Sequence, residues 1–425
     1  MPTSVPDGNM LHCAAQKTLG LQQLFLVLAA ACIVPWLSAC PGDAGDISES
    51  DDANAGSSDQ TTGGTTNDAD GDASTVNDAG EDASTDADAT VTDPDATTAE
   101  DSTVPDSSTP SGDQVPVFLA TTHGGWTAAT CDNGATWVAQ DQSTERAGDE
   151  HHAFVGFAGS AYANGRFAVG VGWGSEGRHL YTSDNGVDWA EVETPAGVVD
   201  YGAMLGYGTG LIAFRGSAGA SLVSTDGSDW QIGATTPPGA SQIRAGRGFS
   251  DGLMVLATTG TSNAVHVSQG DPDNWSTSMV DNDCIERIQV LGGIARIANR
   301  IVLASRSALC ASSDLGQTWS KVASGRYTTV FEDGEYFYAA QESSMARSAD
   351  GQNWAPVSGD FSTIDEGHCF GGVCLIVPSA GGGSAYRSTD GQTWTKVGTV
   401  PAAGGPILSM TAGLVAKEAV ACDSQ

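Results

Sequence analysis

The sequence predicts an all-β fold, a seven-bladed β-propeller of four-stranded blades whose N- and C-terminal strands share one blade. Three observations carry that expectation. A turn-like phrase closing on tryptophan occurs seven times, the text between its copies reads as short strands without helical periodicity, and the two ends of the repeating region each hold part of a repeat. Repeats at this period mark propellers or solenoids, and radial closure removes exposed sheet edges.

The N-terminus comes first. Lys17 precedes "LGLQQLFLVLAAACIVPWLSAC", an apolar run of export-signal length that ends in Leu37-Ser38-Ala39-Cys40. That ending resembles a bacterial lipobox, so residues 1–39 are expected to be a lipoprotein signal peptide and Cys40 the lipidated first residue of the mature chain. The expected location is an exported one, lipid-anchored to a bacterial membrane at the outer membrane or cell surface. The bilayer is met through the Cys40 anchor alone.

Residues 40–113 follow as an acidic Asp/Ala/Thr/Ser/Gly segment. Positions 41–113 hold 20 Asp and Glu, no Lys or Arg and no aromatic residue, a composition that cannot bury enough apolar surface to offset the entropy of ordering. A disordered tether is expected. Residues 114–425 carry 31 acidic against 16 basic residues, so nucleic acid, which needs clustered cations, is not an expected partner.

The repeating region spans 114–425. Its turns are "TCDNGATW" (130–137), "TSDNGVDW" (182–189), "STDGSDW" (224–230), "SQGDPDNW" (268–275), "SSDLGQTW" (312–319), "SADGQNW" (348–354) and "STDGQTW" (388–394). Ser, Thr and Asp side chains accept nearby backbone N–H groups, glycine supplies a conformation a Cβ opposes, and the indole packs back on the sheet. The positions assigned these structural roles are Asp132, Gly134, Trp137, Asp184, Gly186, Trp189, Asp226, Gly227, Trp230, Trp275, Asp314, Gly316, Trp319, Asp350, Gly351, Trp354, Asp390, Gly391 and Trp394. Between turns, runs such as "AYANGRFAVGVG" and "RHLYTSD" give about four strands per repeat. For closure, "VPVFLATT" and "WTAATCD" are expected to pair with two C-terminal segments, "PILSMTAG" and "LVAKEAVA".

Cysteine usage suits an exported domain. Cys13, Cys32 and Cys40 belong to the export segment, leaving six. "CFGGVC" places Cys369 and Cys374 on the arms of a Gly-Gly turn, Cys131 and Cys422 are expected to bridge the closure, and Cys284 and Cys310 remain as the third pair. No Cys/His cluster has metal-ligand spacing, and no cofactor is expected.

The turns resemble the Asp-box of sialidase-type propellers, the bacterial neuraminidase repeat, with "SSDLGQTW" matching the full pattern. The resemblance covers residues 114–425 and implies fold more than activity. It implies that the boxes join third and fourth strands on the face away from the ligand, and that binding belongs to the opposite loops. Those loops carry "QDQSTERAGDEHHAF", "GWGSEGRH", "PPGASQIRAGRG", "DNDCIERIQ", "ASGRY" and "DEGHCF", with His151, His152, Arg178, Arg287 and Arg326 as the candidate binding face. The Arg-Ile-Pro tripeptide of sialidases is absent, so no catalytic residue is assigned. A two-carboxylate hydrolase would draw on Asp149, Glu176, Asp200, Asp283 or Glu366. The expected function is therefore a membrane-anchored, non-catalytic, monomeric module that binds a protein or glycan. The alternatives are a sialidase-like or other glycoside hydrolase and a periplasmic assembly scaffold.

Overall fold

The computed structural model describes residues 113–420, apart from 123–124, 143–158, 172–178, 196–200, 209, 216–219, 236, 238–242, 259–262, 285–292, 379–381 and 402–404. The signal segment, Cys40, the tether, His151, His152, Arg178, Arg287 and Cys422 lie outside the described residues.

The strand-like runs form seven four-stranded antiparallel sheets. The first comprises β1 (Gln114–Thr122), β2 (Trp126–Thr130) and β3 (Val138–Asp141), the second β4 (Ser160–Ala163), β5 (Arg166–Val171), β6 (His179–Ser183) and β7 (Ala190–Val192). The third holds β8 (Tyr201–Tyr207), β9 (Gly210–Arg215), β10 (Ala220–Ser224) and β11 (Gln231–Thr235). The fourth holds β12 (Ile243–Gly248), β13 (Leu253–Thr258), β14 (Ala264–Gln269) and β15 (Ser276–Met279). The fifth holds β16 (Ile294–Ile297), β17 (Arg300–Ala304), β18 (Ala308–Ser312) and β19 (Ser320–Ser324). The sixth holds β20 (Thr329–Glu332), β21 (Phe337–Gln341), β22 (Ser344–Ser348) and β23 (Ala355–Val357). The seventh holds β24 (Glu366–Phe370), β25 (Val373–Val377), β26 (Ser384–Ser388) and β27 (Thr395–Thr399). The C-terminal β28 (Ile407–Ala416) returns to the first sheet, giving the order β28-β1-β2-β3.

That return closes a ring. The inner strands β4, β8, β12, β16, β20, β24 and β28 touch one another in sequence, and β28 meets β4 again. β28 pairs along the whole of β1, from Gln114 opposite Ala416 to Thr122 opposite Ile407. Two further ties reinforce the join: Lys417 N–H donates to the Asp113 carbonyl at 2.9 Å, and the Tyr162 hydroxyl donates to the Leu414 carbonyl at 2.6 Å. The expectation of two C-terminal strands is corrected. "ILSMTAGLVA" runs unbroken as β28, and Lys417–Ala419 forms a short 3-10 turn, because three N-terminal strands leave one vacancy rather than two.

Why the strands are so apolar follows from the ring. Each sheet is covered on both faces by its neighbours, so alternate side chains enter different cores. Val117 and Leu119 join the cluster shared with the second sheet, whereas Phe118 and Ala120 join the one shared with the seventh. On β17, Ile301 and Leu303 face the fourth sheet while Val302 and Ala304 face the sixth. One apolar cluster fills each gap between adjacent sheets, and each takes one turn tryptophan: Trp137, Trp189, Trp230, Trp275, Trp319, Trp354 and Trp394.

Two of the disulfides lie fully within the described residues. Cys284–Cys310 closes a 26-residue loop beside the fourth and fifth sheets, and Cys369–Cys374 spans directly opposed positions of the β24–β25 hairpin. Cys131 is also disulfide-bonded, and its expected partner Cys422 falls outside the description.

Candidate functional site

The seven turns all join third and fourth strands, so they sit together at one end of the ring. Most of their polar atoms are spent internally, although Asn133 Oδ1 and the Trp189 and Trp394 indole nitrogens are buried without a hydrogen-bond partner. Ser312 donates to Asp314 at 2.7 Å, Gly316 N–H donates to the Ser312 hydroxyl at 2.7 Å, and the Thr318 N–H and hydroxyl donate to Asp314 at 2.9 and 2.6 Å. The Thr318 hydroxyl first, then its N–H and the Ser312 hydroxyl, hold the Asp314 carboxyl down at about 2. The same arrangement surrounds Asp132, Asp226, Asp350 and Asp390. At the second turn Asn185 takes this role, accepting from Ser183, Val187 and Asp188, while Asp184 pairs with Arg166 at 2.8 Å.

Each turn also wedges against the preceding sheet. The indole N–H groups of Trp137, Trp230, Trp319 and Trp354 donate to the carbonyl of the turn glycine, and Trp275 to that of Pro272. Trp319 also donates to Ser278 of β15, and Arg300 of the fifth sheet donates to the Ala349 carbonyl of the sixth sheet's turn. A Cβ on Gly316 would stand 2.8 Å from Val267, and one on Gly391 only 1.7 Å from the Tyr338 hydroxyl.

The ring encloses a cavity of 690 Å³ lined by residues of all seven inner strands. These strands come close because small residues occupy them. A Cβ on Gly206 would lie 2.1 Å from the Tyr162 carbonyl oxygen, and one on Gly248 would lie 2.1 Å from that of Gly206. Ser160 and Ser409 line the cavity, joined by a hydroxyl contact of 3.1 Å, and Ser409 also meets Thr121 at 2.7 Å.

Charge on the axis is compensated. Arg247 on β12 reaches past the fifth sheet to Glu332 on β20 at 3.0 Å, with both side chains largely buried. Glu366 opens β24 and takes a long hydrogen bond of 3.5 Å from Thr329. Burial above all, then Asp365 beside it, pushes the Glu366 carboxyl well above the usual range, against smaller opposing effects of Thr329 and Arg247. His368, two residues along, is 8% exposed, and its Nδ1 has no hydrogen-bond partner. Burial and then Arg247 push its imidazole well below the usual range, so it is neutral at pH 7.

Among the residues named from sequence, Arg326 lines the cavity, exposed and paired with Glu342 at 3.2 Å, and Arg306 lines it too. Of the five acids considered for hydrolysis, Glu366 lines the cavity and Asp283 is exposed; Asp149, Glu176 and Asp200 fall outside the description. "DEGHCF" is strand β24 over Glu366–Phe370 rather than a loop, as its hairpin with β25 requires. Arg247 lies in "PPGASQIRAGRG", which is strand β12 over Ile243–Gly248 rather than a loop, and its pairing with Glu332, 85 positions away, has no local signal in the sequence. No group of three or more His, Cys, Asp or Glu suited to a metal occurs among the described residues.

No protein-family model and no curated protein matches the chain. Solved structures with a related backbone include YCF48 bound to D1 peptide, at 13% identity and TM-score 0.45 over 61% of this chain and 84% of that one. Virginiamycin B lyase from Staphylococcus aureus aligns at 7% identity and TM-score 0.46 over 61% and 94%. YCF48 from Cyanidioschyzon merolae aligns at 14% identity and TM-score 0.42 over 63% and 94%. Likenesses this distant carry no activity to this chain, whose fold rests on its own seven sheets.

Proposed function

We propose that this protein is an exported lipoprotein, anchored through Cys40, whose propeller is a non-catalytic module binding a protein or glycan on the face opposite the tryptophan turns. One observation carries the reading: the turn-bearing end is committed to its own hydrogen bonds and to packing between sheets. Recognition is left to the connections between second and third strands and between successive sheets. Loops on a rigid scaffold are the usual carriers of binding. Arg326 stands on that side, exposed beside the cavity.

A hydrolase would pair a catalytic acid with a second carboxylate free to act on substrate. Here Glu332 is held by Arg247, which favours binding over turnover. The deciding experiment offers the purified protein a glycan array and fluorogenic glycosides, alongside cross-linking on cells. Capture of a protein or glycan that Arg326→Glu weakens, without glycoside turnover, is the expected result; turnover abolished by Glu366→Gln would reverse the reading. Labelled fatty acid should enter the wild type and not Cys40→Ser, and its absence from both would remove the anchor.

A further inference from the structure

The axial cavity is lined by hydrogen-bonding groups that the architecture pairs only in part. A buried polar atom without a protein partner is costly unless a water or a ligand meets it. The Nδ1 of His368 is such an atom, on a side chain 8% exposed that lines the cavity wall. Nearby on the same strand, Glu366 accepts one long contact from Thr329 at 3.5 Å. Ser160 and Ser409 add hydroxyls to the lining, the latter engaged with Thr121 and with the Ser160 N–H and hydroxyl.

We propose that this cavity is a binding site for a small neutral polyhydroxylated molecule of the sugar or cyclic polyol class, with His368, Glu366, Ser160 and Ser409 as its hydrogen-bonding partners. Three features select that chemistry. The site presents both donors and acceptors, as a ring of hydroxyl groups requires. It also presents apolar wall, from Met204, Ile294 and Met410, against which C–H faces can lie. Finally, two of its arginines are already engaged: Arg247 is tied to Glu332, and Arg326 to Glu342. Burial shifts Glu366 and His368 each toward its uncharged form, so a charged ligand would exchange its hydration for groups that themselves resist charge. At 690 Å³ the space admits a monosaccharide with accompanying water, or a disaccharide. This site adjoins the loop-bearing face proposed above, with Arg326 common to both, and stands whether that face binds a protein or a glycan.

The test uses the full-length protein and ligands that share a skeleton but differ in charge. Glucose, galactose, N-acetylglucosamine and myo-inositol are titrated by saturation-transfer NMR and calorimetry, against glucosamine, galactosamine, glucuronate and galacturonate. At least one neutral member should saturate below about 10 mM and bind about tenfold tighter than its charged counterparts. His368→Phe, which removes both ring nitrogens while filling the space, should weaken that binding about tenfold, and Glu366→Gln, a neutral isostere, should change it less than about threefold. The proposal is overturned if no neutral member binds, if a charged counterpart binds tighter, or if His368→Phe keeps full affinity with its thermal unfolding unchanged. Should a variant misfold, the charge series on the wild type decides alone. Retention of a macromolecular partner by His368→Phe separates this site from the outer face.

Discussion

At His266 two hydroxyls and burial select one protonation state. The ring contacts Thr277 at 2.9 Å through Nδ1 and Thr258 at 3.1 Å through Nε2, and desolvation lowers its pKa to about 4. Since the folded value lies below the unfolded one, the unfolded chain takes up this proton first. The contribution is complete above about 6.5 and is lost as pH falls toward about 4. Replacing His266 by Gln should flatten the stability profile across that window by on the order of 2 kcal/mol relative to wild type. Urea melts at intervals between those limits would measure it, and parallel profiles would refute it. Single residues also explain the turn at Asn185: an amide oxygen accepts the same backbone N–H groups as a carboxylate, which frees Asp184 for Arg166.

Turns act here as spacers between sheets as much as reversals of direction. Gly391 has φ +63°, and the atom a side chain would add there falls 1.7 Å from the Tyr338 hydroxyl of the preceding sheet. Gly372, at φ +78° in the β24–β25 turn, meets nothing within 4 Å. Gly372→Ala should therefore cost about 1 kcal/mol, from backbone strain alone, and Gly391→Ala about 2–4 kcal/mol, from strain plus overpacking. Tyr338→Phe should recover part of the second loss in a double-mutant cycle followed by chemical denaturation. Equal costs at the two glycines would remove the wedge interpretation.

Across the whole molecule, stability depends on closure. β28 supplies Ile407, Met410 and Ala412 to one inter-sheet cluster and Val415 to the next, so it holds the first sheet to both neighbours. A chain ending before Ile407 should lose its cooperative thermal transition and expose the β1 edge to aggregation. Scanning calorimetry with light scattering would show this, and a wild-type transition in the truncated chain would contradict it. Rigidity from closure also keeps the axial cavity open, since every inner strand is braced by two others.

The fold was legible because its unit is local: turn chemistry, alternation and tryptophan spacing recur within each repeat. Asn164-Gly165 shows this, with φ values of 50° and 78° turning β4 into β5 as the dipeptide implies. The site was largely illegible for the opposite reason. Glu366 and His368 stand in a segment with too few apolar residues to look like a strand, and Arg247 meets Glu332 only because the ring brings distant sheets to a common axis. By itself the sequence determined how many equivalent hairpins would form and that their apolar faces had to be covered on both sides. Tertiary structure alone decided which side chains share the axis and lose their water there, because burial and charge pairing depend on circular closure and not on any neighbour in the chain.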